Sequence, residues 1–166
     1  MLRPAAPVDR TALVTLADAT GVFRPDEAEA LLGGVLDDLH AGRLGEGHLA
    51  QVWVDDPASR PAGWVYFAPA PLADGVWDLW WIGVAPARQG QGIGGELLRF
   101  VEAHVRAVSG RLLLVETSSL PAFDPTRRFY ARHGYAECGL VPDFYADGDS
   151  KVIFAKRMAD RVGSEG

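Results

Sequence analysis

The sequence predicts an α/β fold of the α+β kind: a mixed, mostly antiparallel central sheet of six to seven strands flanked by about four helices. Three observations carry this expectation. Two helical patterns open the chain. Three β-branched and aromatic runs follow, separated by turns too short for a crossover helix. A glycine-rich turn then leads into an amphipathic helix, after which come an apolar strand, a short helix and a terminal hairpin. The element order read this way is α-α-β-β-β-α-β-α-β-β.

Each element has its own signal. Leu13, Leu16 and Ala17 recur at helical spacing over Val8 to Ala19, with Asp9 placed to cap the start. Pro25, Asp26 and Glu27 have the character of a first helical turn, and the second helix runs to about His40, with Gly42 ending it. The runs "LAQVWV", "GWVYFA" and "VWDLWWIGV" have strand composition. Leu97, Leu98, Val101, Val105 and Val108 form one stripe of a helix that ends near Gly110. "RLLLVE" is expected to be a strand buried on both faces. A short helix from Thr126 to Arg132 stops at Gly134. Strands Tyr135 to Val141 and Lys151 to Arg157 then flank the turn-rich "YADGD".

The 166 residues suit one domain, taken as residues 1–166, and a 48% hydrophobic content is enough for a core. A net charge of −6 argues against nucleic-acid binding through overall charge. No apolar run approaches the ~18 residues needed for a membrane span, and the N-terminus has no signal-peptide core. Cys138, the single cysteine, cannot form an internal disulfide and reads as inert packing. The expectation is a soluble, cytoplasmic protein. The four histidines lie on different elements without ligand spacing, so no metal site is expected. Ser118 and Ser119 lack the turn of a hydrolase nucleophile.

The stretch "RQGQGIGG" matches two patterns. Gly90, Gly92 and Gly95 fit the G-x-G-x-x-G turn of dinucleotide-binding folds, and Glu116 follows at a distance suited to a ribose-binding acid. However, Pro86, Ala87, Arg88 and Gln89 stand between the strand and the first glycine. The remaining chain also cannot supply a doubly wound parallel sheet. Gln89, Gly92 and Gly94 instead fit Q-x-x-G-x-G, which needs none of the missing parts. Successive backbone N–H groups entering a helix N-terminus form an anion cradle, and a Cβ there would hold phosphates away. Arg88 and Gln89 add nearby side-chain donors.

With "IGVAPARQGQGIGGELL" and, downstream, Phe129-Tyr130-Ala131-Arg132-His133-Gly134-Tyr135, the sequence resembles the GNAT superfamily of acyl-CoA-dependent N-acetyltransferases. The two motifs lie in the family's order and the likeness covers nearly the whole chain. The resemblance implies acetyl-CoA as co-substrate. It would be held by Gln89, Gly90, Gln91, Gly92, Ile93, Gly94 and Gly95, with the backbone of Ile82, Gly83 and Val84 along its pantetheine arm and the Ile82 N–H facing the thioester oxygen. It further implies direct transfer of acetyl to a primary amine. Where the family often has an asparagine, seven residues before Tyr130, this chain has Phe123.

Acetyl transfer needs a base for the amine, a polarised carbonyl and a proton for the leaving thiolate. Tyr130 matches the family's acid; a core role is the alternative. Asp78, alone among Trp77, Leu79, Trp80 and Trp81, is the first candidate base, because apolar neighbours raise a carboxyl pKa. A solvent-facing strand end is the other reading. Glu116 is the second candidate base. Gly83 marks either close backbone approach or relief of crowding beside Trp81. The expected partner is an amine-bearing acceptor, a small molecule before a protein; the resemblance implies that it enters by "TGVFRPDE" and the final hairpin, which carries Asp143, Tyr145, Asp147 and Asp149. No nucleic-acid or membrane partner is expected, and a homodimer is left open. The alternatives are a protein or peptide acetyltransferase and a non-catalytic acyl-CoA-binding module.

Overall fold

The computed structural model describes residues 1–158; the last eight residues of the expected domain lie outside the described residues. Seven strands form one open mixed sheet in the order β1-β2-β3-β4-β5-β7-β6, with four α-helices. The strands are β1 (Leu2–Pro4), β2 (Leu49–Trp53), β3 (Gly63–Pro69), β4 (Val76–Val84), β5 (Leu112–Ser118), β6 (Ala136–Ala146) and β7 (Asp149–Arg157). The helices are α1 (Arg10–Thr20), α2 (Gly34–His40), α3 (Ile93–Ala107) and α4 (Asp124–Arg132). Among the described residues no helix is long and apolar enough to cross a membrane.

The chain groups into two compact units, one of Met1–Ala68 with Trp80–Val101, the other of Pro69–Leu79 with the chain from Glu102 onward. In the first, β1 pairs antiparallel with β2, and β2 with β3. Leu13, Ala17, Leu32, Leu36, Val52 and Trp64 are buried together beneath these strands. Leu97, Leu98 and Val101 of α3 are fully buried, as their stripe requires, each worth roughly 1.5–3 kcal/mol of apolar burial. In the second unit, the start of β4 pairs parallel with β5, which pairs antiparallel with β7, and β7 with β6. Leu113, Val115, Tyr130, Tyr135, Val152 and Phe154 fill its core.

Several boundaries differ from expectation. Strand β1 has no sequence signal: "LRP" is too short to show alternation and is recruited by pairing with β2. Asp9 does not cap α1 in the usual sense; its buried carboxylate accepts the Ala6 N–H at 2.8 Å and a forked Arg3 pair at 2.7 and 2.9 Å. The second helix cannot begin at Pro25, because Asp26 is left-handed at φ 67°, and it passes through a π turn at Glu29–Gly33. Val108 lies past the end of α3 and is exposed. Strand β5 alternates, with Leu113 and Val115 buried and Glu116 exposed, so only one of its faces is fully covered. The terminal hairpin is longer than expected. Tyr145 and Ala146 are in strand, and the turn is confined to Asp147 and Gly148. On the edge strand β6, Cys138 is exposed rather than packed.

Candidate active site

After β4 ends at Val84, a 3-10 turn at Pro86–Arg88 redirects the chain, and Gln89 is extended. Gly90 and Gly92 then take φ of 76° and 83°, where L side chains are strained. A Cβ on either would meet no protein atom within 4 Å, so this face of the turn is open. Helix α3 begins at Ile93, and the Glu96 N–H closes onto the Gly92 carbonyl at 3.0 Å. The amides of Ile93, Gly94 and Gly95, ahead of that bond, have no partner within the helix and point from its positive end. The Ile93 side chain is 2% exposed and sits against Gly63, which anchors the helix start.

The side chains around this turn are occupied elsewhere, against expectation. Arg88 makes two hydrogen bonds to Asp55, at 2.7 and 2.9 Å, and a third to the Gln91 amide oxygen at 3.0 Å. Its guanidinium also lies over the Trp53 ring at 5.3 Å. The Gln89 amide donates to the Val84 carbonyl at 3.3 Å. Glu96, an acid in the first turn of α3, accepts the Trp53 indole N–H at 2.7 Å. The Arg88 guanidinium is thus engaged, and the open side of the turn is formed by its glycine backbone. Gly83 is also reassigned: a Cβ there would lie 2.1 Å from the Trp64 ring. It relieves crowding by Trp64 of β3, not by Trp81.

In the second unit, register brings Asp78 and Glu116 to one face. Asp78 pairs with Leu114, two residues before Glu116, so their side chains share a side of the sheet. Asp78 is half-buried, and its carboxyl pKa is raised, first by burial and then by the charge of Glu116, with Lys151 opposing. Glu116 is exposed and ion-paired to Lys151 Nζ at 3.0 Å. Of the expected acidic hairpin, Asp149 accepts the Ser118 hydroxyl at 2.5 Å and Asp143 accepts the Gly148 N–H at 2.8 Å. Both are thus engaged in holding the hairpin. Tyr145 is half-buried, and burial with the charges of Glu116 and Asp149 pushes its phenol to about 12. In the other unit, Phe23 of "TGVFRPDE" is a core residue packed against Trp81 at 5.1 Å.

Tyr130 is 2% exposed, its ring set among Phe129, Tyr135 and Phe154 at 5.3 to 5.9 Å. Burial raises its phenol well above the ordinary value, so it stays protonated. Beside it lies a polar knot of which the sequence marks only the i,i+4 pair Glu102 and Arg106. Glu102 of α3 accepts the Tyr135 hydroxyl at 3.1 Å, Lys156 Nζ at 2.9 Å and Arg106 at 3.2 Å. Lys156 also donates to the His133 carbonyl at 2.8 Å. Lys151 was equally illegible, since a lone lysine opening a strand becomes notable only when register sets it beside Glu116. Near the position of Phe123, Arg127 bonds Asp124 and the carbonyls of Ser118 and Leu120. Among the described residues no three His, Cys, Asp or Glu side chains form a metal-binding group.

Comparison with known proteins places these features. The family described as Acetyltransferase (GNAT) domain matches residues 48–137, from β2 to the start of β6. The crystal structure of a GNAT-family protein from Desulfovibrio desulfuricans is 35% identical and covers 96% of this chain and 99% of its own, with a TM-score of 0.85. The mycothiol acetyltransferase of Kineococcus radiotolerans is 33% identical along an alignment 156 residues long, which covers 89% of this chain and 46% of that protein. The chain thus spans under half the length of that curated relative. An aminoglycoside 6'-N-acetyltransferase from Enterococcus faecium shares the fold alone, at 18% identity, a TM-score of 0.74 and coverage of 98% and 99%. A family match over more than half the chain, joined to a third of the residues shared with a solved structure along its whole length, has one meaning: the chain belongs to the GNAT acetyltransferase family.

Proposed function

We propose that residues 1–166 act as one acetyltransferase domain that moves acetyl from acetyl-CoA to a primary amine by direct attack, without an acyl-enzyme. The observation that carries this is the open glycine turn before α3 in a chain of this family. Its left-handed glycines and the amides of Ile93, Gly94 and Gly95 suit a pyrophosphate, and with Arg88 paired to Asp55 the backbone carries most of that binding. Gln89 and Gln91 border the cradle, and the backbone of Ile82, Gly83 and Val84 serves the pantetheine arm.

Asp78 takes a proton from the acceptor's ammonium, directly or through water, and Glu116 supports it. The freed nitrogen forms a bond to the thioester carbon, and the carbon–sulfur bond breaks. Tyr130 gives its hydroxyl proton to the departing sulfur and recovers one from the nitrogen, so the phenol is unchanged after a turnover. The acceptor is a small molecule, a reading supported by the relative named for mycothiol.

Thiol release from acetyl-CoA, followed against a panel of small amines and of peptides, tests the whole reading. Turnover with at least one small amine is expected; peptide-only turnover would overturn the acceptor class, and binding without turnover would leave an acyl-CoA-binding module. Gly92→Val is expected to weaken coenzyme binding sharply, because a branched side chain at φ 83° strains the turn and fills the open face. Calorimetric titration of the folded variant with CoA checks this, and wild-type affinity would rule out the cradle.

A further inference from the structure

The face that carries Asp78 also holds a cation in a defined place. Ser118 pairs with Lys151, and Glu116 with Ile153, so strand alternation puts Asp78, Glu116, Ser118 and Lys151 on one side of the sheet. The Lys151 side chain is 14% exposed, although lysine is normally solvated. Two contacts fix it: the Glu116 carboxylate at 3.0 Å and the Phe144 ring, whose centroid lies 3.5 Å from Nζ.

We propose that Lys151 is a positioning residue for Asp78: held between Glu116 and Phe144, it offsets the negative charge that Glu116 presents on the face of the sheet that carries Asp78. This rests on the reading of Asp78 as proton acceptor. The charged groups that act on Asp78 are Glu116 of β5 and Lys151 of β7, in opposite senses. Of the other ionisable groups on these strands, Asp149 of β7 is engaged with Ser118, and Tyr145 of β6 keeps its proton. Without the lysine, burial and Glu116 act on Asp78 unopposed. Its carboxyl then keeps its proton to a higher pH than in the wild type.

The test is a pH titration of the Asp78 carboxyl carbon by NMR on the labelled full chain, alongside the pH profile of kcat/KM with one good amine. In Lys151→Met the Asp78 midpoint and the acidic limb are both expected to rise together, by up to about 1 pH unit. Lys151→Arg should keep both near wild type, and Lys151→Gln, which tolerates the same surface, should repeat the methionine result. If the neutral variants titrate like wild type, or if arginine shifts Asp78 as far as methionine does, the proposal is overturned. Asp78→Asn separates it from the functional reading. Should that variant retain the acidic limb, Asp78 is not the base, while the carboxyl titration still decides what Lys151 does.

Discussion

Tyr130→Phe is expected to lower kcat by about 10- to 1000-fold while coenzyme affinity changes little, the range for loss of a general acid. The substitution removes one oxygen and keeps the ring, so the packing against Phe129, Tyr135 and Phe154 is retained. A folding defect is therefore not the expected cause, and an unchanged thermal midpoint would establish that. Because burial raises the phenol pKa, its proton remains in place throughout the accessible pH range. Tyr130 should then contribute no alkaline limb to the wild-type profile below pH ~10, the ordinary phenol value. Wild-type kcat in the phenylalanine variant with a good amine would leave Tyr130 a core residue and nothing more.

The second large effect concerns stability. Glu102→Ala is expected to cost about 3 kcal/mol, at the low end for breaking a buried ion pair, since Lys156 keeps a quarter of its side chain exposed. The variant leaves the Lys156 ammonium with the His133 carbonyl but no counter-charge from Glu102, and it removes the acceptor of the Tyr135 hydroxyl, in a residue only 4% exposed. Urea unfolding should show a lower midpoint with an unchanged slope. Burial alone would raise the Glu102 carboxyl, but its bonds to Lys156, Tyr135 and Arg106 outweigh that and leave it lowered. The unfolded chain therefore binds the proton more readily. Stability from this group is present above the unfolded value of about 4.3 and is lost as pH falls through the lower folded value. Glu102→Gln should flatten the acidic part of the stability profile relative to wild type. A profile as steep as wild type's would mean that Glu102 gains no net stabilisation from its three partners.

Where a feature depends on near neighbours in the chain, the sequence was enough. The α3 stripe from Leu97 to Val105, the left-handed glycines before it and the stop at Gly134 all follow from spacing and from the steric freedom of glycine. The strands β2 to β5 were legible from composition, and the family motifs led directly to the turn and to Tyr130. Elements whose formation depends on a distant partner were not. Strand β1 exists because β2 accepts it, and the hairpin grows past Val141 because Asp143, Ser118 and Asp149 hold its end.

What the sequence by itself determined is the family, the order of the elements after β1 and the glycine turn that opens α3, all local matters of periodicity and turn chemistry. The tertiary structure alone decided which groups share a surface. It spent Arg88 on Asp55, placed Trp64 where Gly83 has no side chain, and set Lys151 beside Glu116. It also tied Glu102 to Lys156, 54 residues away. Such pairings depend on sheet register and helix docking, which sum weak preferences over the whole chain. A charge acts on a carboxyl only across the few ångströms that this register sets.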